Sequence, residues 1–378
     1  MYALIIGRAY PDEKTGMMGI FEYEQAVALN NYGIKTVYSF CDTRSIKRLR
    51  RLNYTKLVAN NVPVYGYHFP IGGAPRKTFD KLKGNRTRKL IRKVLDEHGI
   101  PDIIHIHFPL LNLNNEIWDY LISLNRPIVV TEHWTKVQTK EIELYRRKLL
   151  KRIVNESDTF ICVGDQLKRS VVELTGTEKE IKIIPNMLNP FFYYKEQKNK
   201  KDTFNFITIG RLVEVKRFGF TIDAFTKEFS DNKNVHLHVV GDGPLFNSIN
   251  EQINNLGMSD KITMHGFLSR NETSDLIREC DAFVSASILE TFGVPFIEAM
   301  ACGKPVIGAK NGPIDRYIIN NHGVLFERDN LKDLTNSLRK VYANRYTYNG
   351  KVISQTAINM FSEKAVAQQL NDVYLRLT

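Results

Sequence analysis

The stretch Glu290-Thr291-Phe292-Gly293-Val294-Pro295-Phe296-Ile297-Glu298-Ala299-Met300-Ala301-Cys302-Gly303-Lys304-Pro305 decides how this chain is read. It is a loop, a short helix and a stop. Pro295 suits the start of a helix, and Gly303 suits the residue just past its end, ahead of Pro305. The N–H groups of Gly293 and Val294 then stand at a helix N-terminus. Such amides lack intrahelical acceptors and sit at the positive end of the helix dipole, so they bind anions. Glu290 lies in the loop before them, and Glu298 falls one turn into the helix on the same side. A carboxylate accepts two hydrogen bonds and so suits a vicinal diol. The pattern fits a ligand with sugar hydroxyls at one end, ribose hydroxyls at the other and phosphates between.

Outward from this stretch, apolar runs of strand length alternate with helix-length segments. In the second half the strands are expected at 205–209, 235–240, 262–265, 282–285, 306–307 and 324–326. In the first half they are expected at 4–7, 36–40, 103–108, 128–131, 159–163 and 181–184. Helical patterns such as Ile20–Asn31 and Phe218–Phe229 lie between them. This alternation means α/β architecture, with parallel sheets covered by helices on both faces, and it occurs twice. The break falls at 189–201, where Pro190 and a Lys/Asn-rich run interrupt the pattern. Three parts follow: an N-terminal domain over 1–190, a C-terminal domain over 191–362, and a C-terminal helix, 363–378, packing back on the first domain.

Two open parallel sheets place ligands at the carboxyl ends of their strands. The strand 205–209 ends in Gly210-Arg211, with Lys216 close behind. Two cations in such a crevice suit a diphosphate, although an ordinary ion pair of Lys216 with Glu214 is the plainer reading. The strand 235–240 ends in Gly241-Asp242-Gly243-Pro244, which allows a tight turn and close backbone approach to a ligand but is also a common turn signature.

These segments together resemble the retaining glycosyltransferases of family four, which have GT-B architecture. The Glu290–Glu298 string is similar to that family's Glu-x7-Glu motif. The similarity extends to Gly210-Arg211-Leu212 with Lys216, to Val240-Gly241-Asp242-Gly243-Pro244, to His265-Gly266-Phe267 and to 311–318. It implies two Rossmann-like domains facing across a cleft. It implies that Arg211 and Lys216 neutralise a leaving diphosphate, and that Glu290 takes the donor sugar with help from the backbone of Phe292 and Gly293. Glu298 would hold the ribose, and the backbone near Phe267 and Leu268 would meet the base. Thr291, where the family often has glycine, and Asp315, where it usually has glutamate, depart from the pattern.

The first half carries weaker signals. Gly16 and Gly19 precede the helix Ile20–Asn31, and in the family a glycine loop here approaches the donor phosphate and the acceptor. His105 and His107 share one face of a strand by its two-residue period. His105 reads as a packed residue. The resemblance makes His107 and His133 cleft-facing, near the sugar or the acceptor hydroxyl. No third and fourth ligands stand at structural zinc spacing.

The expected activity is transfer of a sugar from a nucleoside-diphosphate donor, UDP-sugar before GDP-sugar, to a saccharide hydroxyl with retention at the anomeric carbon. No cofactor or metal is expected: no Asp-x-Asp motif occurs, and positive charge with helix N–H groups would stabilise the departing diphosphate. A GT-B-like sugar epimerase or phosphorylase would share the fold. An oxidoreductase is disfavoured because no Gly-x-Gly-x-x-Gly follows the first strand.

The net charge of +12 is concentrated in the first half. Residues 44–93 hold 15 basic residues against one acidic residue, Asp80. They include Arg44, Lys47, Arg48, Arg50, Arg51, Arg76, Lys77, Lys81, Lys83, Arg86, Arg88, Lys89, Arg92 and Lys93. Such a field suits an anionic membrane and a lipid-linked saccharide acceptor in bacterial envelope polysaccharide synthesis, or simply a solvated surface. A basic nucleic-acid-binding protein is the other alternative reading, but no recognition motif accompanies the charge and no nucleic-acid partner is expected. No apolar run is long enough to span a bilayer. Cys41, Cys162, Cys280 and Cys302 have no C-x-x-C spacing, so a reducing cytoplasm is expected, with peripheral attachment at the inner face of the plasma membrane.

Overall fold

The computed structural model describes residues 1–11, 16–44, 52–196, 202–310, 312, 314–318 and 321–378. The chain forms two compact units. One is Met1–Met187 together with Glu363–Thr378, and the other is Leu188–Ser362.

In the first unit the strands are β1 (Tyr2–Gly7), β2 (Lys35–Asp42), β3 (Asn53–Ala59), β4 (Val62–His68), β5 (Ile103–His107), β6 (Ile128–Glu132), β7 (Thr159–Cys162) and β8 (Ile181–Ile183). Among the described residues they form one eight-stranded sheet in the order β3-β4-β2-β1-β5-β6-β7-β8. Strands β1, β5 and β6 are buried along their whole length, which is why they read as unbroken apolar runs. Helices α1 (Ile20–Asn31), α2 (Arg76–His98), α3 (Pro109–Asn112), α4 (Asn115–Ser123), α5 (Thr135–Gln138), α6 (Leu144–Glu156) and α7 (Asp165–Thr175) connect them.

The sheet departs from the sequence expectation at one edge. No strand was expected between 36–40 and 103–108, and only parallel pairing was expected. Instead β3 runs antiparallel to β4, and β4 joins β2 in parallel. The hairpin turns on Asn60-Asn61, both at positive φ (47° and 60°), as a two-residue loop requires. Strand β3 is a solvated edge with little apolar alternation, so the hydrophobic pattern hid it. The basic residues of 44–93 also divide. Lys47, Arg48, Arg50 and Arg51 lie outside the described residues. On α2, Lys77, Lys81, Lys89 and Arg92 are exposed. Lys83 is instead only 5% exposed, because it falls in the apolar stripe with Thr87, Leu90 and Val94.

In the second unit the strands are β9 (Phe204–Ile209), β10 (Val235–Val240), β11 (Ile262–Gly266), β12 (Ala282–Ser285), β13 (Val306–Ala309) and β14 (Gly323–Phe326). Among the described residues they form a six-stranded parallel sheet in the order β11-β10-β9-β12-β13-β14. Helices α8 (Phe218–Phe229), α9 (Phe246–Asn255), α10 (Arg270–Glu279), α11 (Val294–Ala301), α12 (Leu331–Ala343) and α13 (Gly350–Phe361) cover it. The core clusters on Phe206, Phe225 and Phe229, with Tyr342 edge-on to Phe229 at 5.5 Å. The last helix, α14 (Glu363–Leu375), belongs to the first unit and packs on α1 through Val366, Leu370 and Tyr374.

Strand order reverses once in each sheet, between β1 and β5 and between β9 and β12. Connections leave opposite faces at such a point and open a crevice at the strands' carboxyl ends. That places the segments after Gly7 and His107 together in the first unit, and those after Ile209 and Ser285 together in the second.

Candidate active site

In the second unit the reversal point gathers most of the residues singled out from the sequence. Lys216 ends a short 3-10 turn, Glu214–Lys216, after β9. Glu290 stands in the loop after β12. Lys216 Nζ donates to Glu290 Oε1 at 2.5 Å, and both side chains stay partly exposed. The Lys216 partner is thus Glu290 and not the neighbouring Glu214. Arg211 is exposed just beyond β9.

The helix predicted inside the deciding stretch is α11, with Pro295 in its first turn. Gly293 is its N-cap, in the left-handed region at φ 88°, and no side chain caps the amides that follow. Val294 is half-buried and Gly293 before it is buried. The Phe292 side chain is buried against Phe361 and Tyr317, which leaves its backbone as what it can offer a ligand. Glu298 is 8% exposed on the helix.

Gly241 sits at φ 140°, where a Cβ would come 1.8 Å from the Gly210 carbonyl oxygen. Only glycine lets the ends of β9 and β10 approach so closely. After β11, Phe267 is 71% exposed, with Leu268 half-buried beside it. A lone exposed aromatic at a strand's carboxyl end offers a face to a flat ring.

In the first unit Gly19 is the N-cap of α1 at φ 86°, and a Cβ there would lie 1.9 Å from the Ala9 carbonyl oxygen. A Cβ on Gly16, at φ 61°, would meet nothing within 4 Å among the described residues. His105 and His107 do share a face of β5, with ring centroids 4.3 Å apart. Both are fully buried, and His133 is only 7% exposed. The reason is the central position of β5 between β1 and β6.

The histidines form ordered contacts. His105 Nδ1 meets Tyr374 Oη at 2.6 Å and its Nε2 meets Thr131 Oγ1 at 2.7 Å. His107 Nδ1 meets His133 Nε2 at 3.0 Å, and His133 Nδ1 meets Asn186 Oδ1 at 3.1 Å. With the Asn186 amide assigned in that orientation, His133 Nδ1 carries a proton and its Nε2 accepts from His107. His107 Nε2 then holds a lone pair, and among the described residues it is buried without a partner. Burial pushes both rings below the usual histidine range, His133 down to about 3, so they are neutral at physiological pH.

Three residues here were missed in the sequence. Arg8, just after β1, lies 3.3 Å over the Phe108 ring and bonds the fully buried Glu22 at 2.7 Å. Glu132, at the end of β6, is also fully buried. Its Oε1 accepts the backbone N–H groups of His133 and Trp134, while Oε2 has no partner among the described residues. Burial raises its carboxyl to about 7. A charged residue directly after an apolar strand was the available signal for Arg8 and Glu132.

Two α/β units, each with a reversal point at its strands' carboxyl ends, make the fold of the GT-B class. Residues 192–358 match the family described as glycosyl transferases group 1, and residues 35–190 match glycosyltransferase family 4. The chain belongs to this family.

It is 28% identical over 234 residues to N-acetyl-alpha-D-glucosaminyl L-malate synthase of Bacillus anthracis, covering 59% of each chain. It is 24% identical over 262 residues to the phosphatidylinositol N-acetylglucosaminyltransferase GPI3 subunit of Saccharomyces cerevisiae, covering 67% of this chain and 58% of that one. The chain thus spans about six tenths of the length of these relatives. Among solved structures, sucrose-phosphate synthase from Thermosynechococcus elongatus superposes with a TM-score of 0.77 at 18% identity, covering 100% of this chain and 98% of that one. An Anabaena protein solved with UDP and glucose superposes with a TM-score of 0.73 at 18% identity, both chains fully covered. Among the described residues no helix is long and apolar enough to cross a membrane.

Proposed function

We propose that the chain transfers a sugar from a UDP-sugar to a saccharide hydroxyl, with retention at the anomeric carbon and without a metal. The observation that carries this reading is the Lys216–Glu290 pair beside the uncapped N-terminus of α11. A solved neighbour's binding of UDP and glucose supports the choice of base. The diphosphate takes Arg211, Lys216 and the N–H groups of Gly293 and Val294 at the start of α11, and Glu290 turns to the sugar hydroxyls. The bond from the anomeric carbon to the diphosphate oxygen breaks while the acceptor oxygen attacks from the same face. The acceptor's proton passes to the departing diphosphate, whose growing charge the cations and amides stabilise. Neutral, enclosed His107 and His133 act by hydrogen bonding and not as acids.

The acceptor in this reading is lipid-linked. The exposed α2 side chains Lys77, Lys81, Lys89 and Arg92 hold the enzyme on anionic membrane, at about 1 kcal/mol each. Flotation with acidic and neutral liposomes tests that part; equal behaviour with both removes it.

A thermal-shift panel of UDP, GDP, ADP and their sugars, with and without EDTA, tests the donor site. Stabilisation by uridine nucleotides of a few kcal/mol, unchanged by EDTA, is the expected result. Preference for another base corrects the donor, loss with EDTA removes the metal-free mechanism, and no response to any nucleotide removes the reading. Incubation of the donor without acceptor separates transfer from epimerisation, and phosphate dependence separates it from phosphorolysis.

A further inference from the structure

The first unit holds a cavity of about 760 Å³ between α2, the start of α4 and the first turn of α6. Most of its charges pair off. Arg76 lies 3.6 Å from Asp80, Arg146 lies 3.2 Å from Glu143, and Glu116 lies 3.7 Å from Arg88. Lys83 does not pair. It is 5% exposed, its Nζ donates to the Leu111 carbonyl oxygen, and among the described residues no carboxylate forms an ion pair with it. One carbonyl leaves two of the three ammonium protons over. The Asp80 charge acts on it only from beyond ion-pair distance, and an enclosed cation with no carboxylate in contact is costly, a cost that an arriving anion would relieve.

A second feature points into the same space. The first turn of α6 lines the cavity through Tyr145 and Arg146, and its N-cap, Glu143, makes no side-chain capping bond. The amides of that turn supply further donors and a positive dipole end. Arg76 stacks 3.1 Å over the Tyr145 ring and ties the α2 wall to the α6 wall.

We propose that this cavity binds an oxyanion, a phosphate or carboxylate group of the acceptor, between Lys83, Arg146 and the first turn of α6. The assignment to the acceptor rests on the glycosyltransfer reading; the anion binding does not. Burial lowers the Lys83 ammonium only to about 8, with Cys41 and Asp80 opposing the shift and Arg146 adding to it, so it remains charged at neutral pH. A bound anion removes the cost of enclosing it.

The test is thermal stability of the full chain with inorganic pyrophosphate or succinate, for wild type, Lys83→Met, Arg146→Gln and, for the other unit, Lys216→Met. Wild type and Lys216→Met should be stabilised by one of the anions. Lys83→Met and Arg146→Gln should bind it about tenfold more weakly or worse. Without anion, Lys83→Met should be at least as stable as wild type, because an unpaired buried charge is gone. Arg146 is only half-buried, so its variant reports even if Lys83→Met fails to fold. The anion that stabilises more identifies a phosphate or a carboxylate acceptor. No stabilisation of wild type overturns the proposal, as does stabilisation kept in Lys83→Met and Arg146→Gln but lost in Lys216→Met. A UDP-induced shift that survives in Lys83→Met separates this outcome from failure of the donor reading, in which no variant responds to UDP.

Discussion

Lys216 reaches Glu290 across 2.5 Å although 74 residues separate them. The pair stands where strand order reverses, so the fold brings a cation and a carboxylate to one spot and leaves each partly exposed. A partly exposed pair of this kind contributes little to stability. It holds both groups in place until a diphosphate takes the lysine and a sugar takes the glutamate. Lys216→Met should therefore lower kcat by about a hundredfold or more, since charge on the leaving group loses a fixed partner, while the melting temperature stays near wild type. Glu290→Ala should lose donor turnover but keep UDP binding. Steady-state rates beside UDP titrations check both; normal turnover of Glu290→Ala would mean that the carboxylate does not touch the sugar.

The two glycines before α1 should respond differently to the same change. Gly19 has positive φ and no room, since a Cβ would meet the Ala9 carbonyl oxygen at 1.9 Å. Gly16 has positive φ, but among the described residues nothing lies within 4 Å of where its Cβ would be. Gly16→Ala should cost about 1 kcal/mol from backbone conformation alone. Gly19→Ala should cost clearly more, because backbone must also shift. Urea midpoints of the two variants measure this, and equal losses would show that the Gly19 contact relaxes freely.

The second unit was legible because its signals are local. Gly303 ahead of Pro305 ends α11, and the strand ends carry Arg211, Gly241 and Phe267 in short loops that adjacent residues announce. The first unit was less legible because its features depend on distant partners. The β3–β4 hairpin was hidden by a solvated edge, although Asn60-Asn61 marked its turn. Lys83 looked like one more surface lysine until the α2 helical phase placed it in the buried stripe. The enclosure of His107 follows from the neighbours of β5, which no spacing along the chain reveals.

Tyr374 ties the C-terminal helix to β5 through its bond to His105 Nδ1 at 2.6 Å, fully buried. Tyr374→Phe keeps the ring and leaves that nitrogen unpartnered. A buried polar atom without a partner costs about 1–3 kcal/mol. Denaturant unfolding should show that loss with no change in the UDP-induced shift. A loss well below 1 kcal/mol would mean that the imidazole finds another partner.

Glu132 and His133 are neighbours in the chain whose effects on stability should run in opposite directions with pH. The unfolded Glu132 carboxyl ionises near 4.5, whereas the folded one holds its proton to about 7 because burial disfavours the charge. Between those values the unfolded chain has released a proton that the folded chain keeps, so this group's contribution is full below about 4.5 and falls as pH rises to 7. His133 has an ordinary value of 6.5 and a folded value of about 3, again from burial first. Its contribution is full above 6.5 and falls as pH drops toward 3. The two slopes oppose each other between 4.5 and 6.5. Glu132→Gln removes one of them while keeping an oxygen for the His133 and Trp134 amides. The stability of the variant relative to wild type should then climb by roughly 3 kcal/mol from pH 4.5 to 7, and stay level on either side. Melting curves of the two proteins across that range decide the matter. Parallel curves would mean that Glu132 is ionised in the folded chain at neutral pH, with the Arg8 charge outweighing its burial.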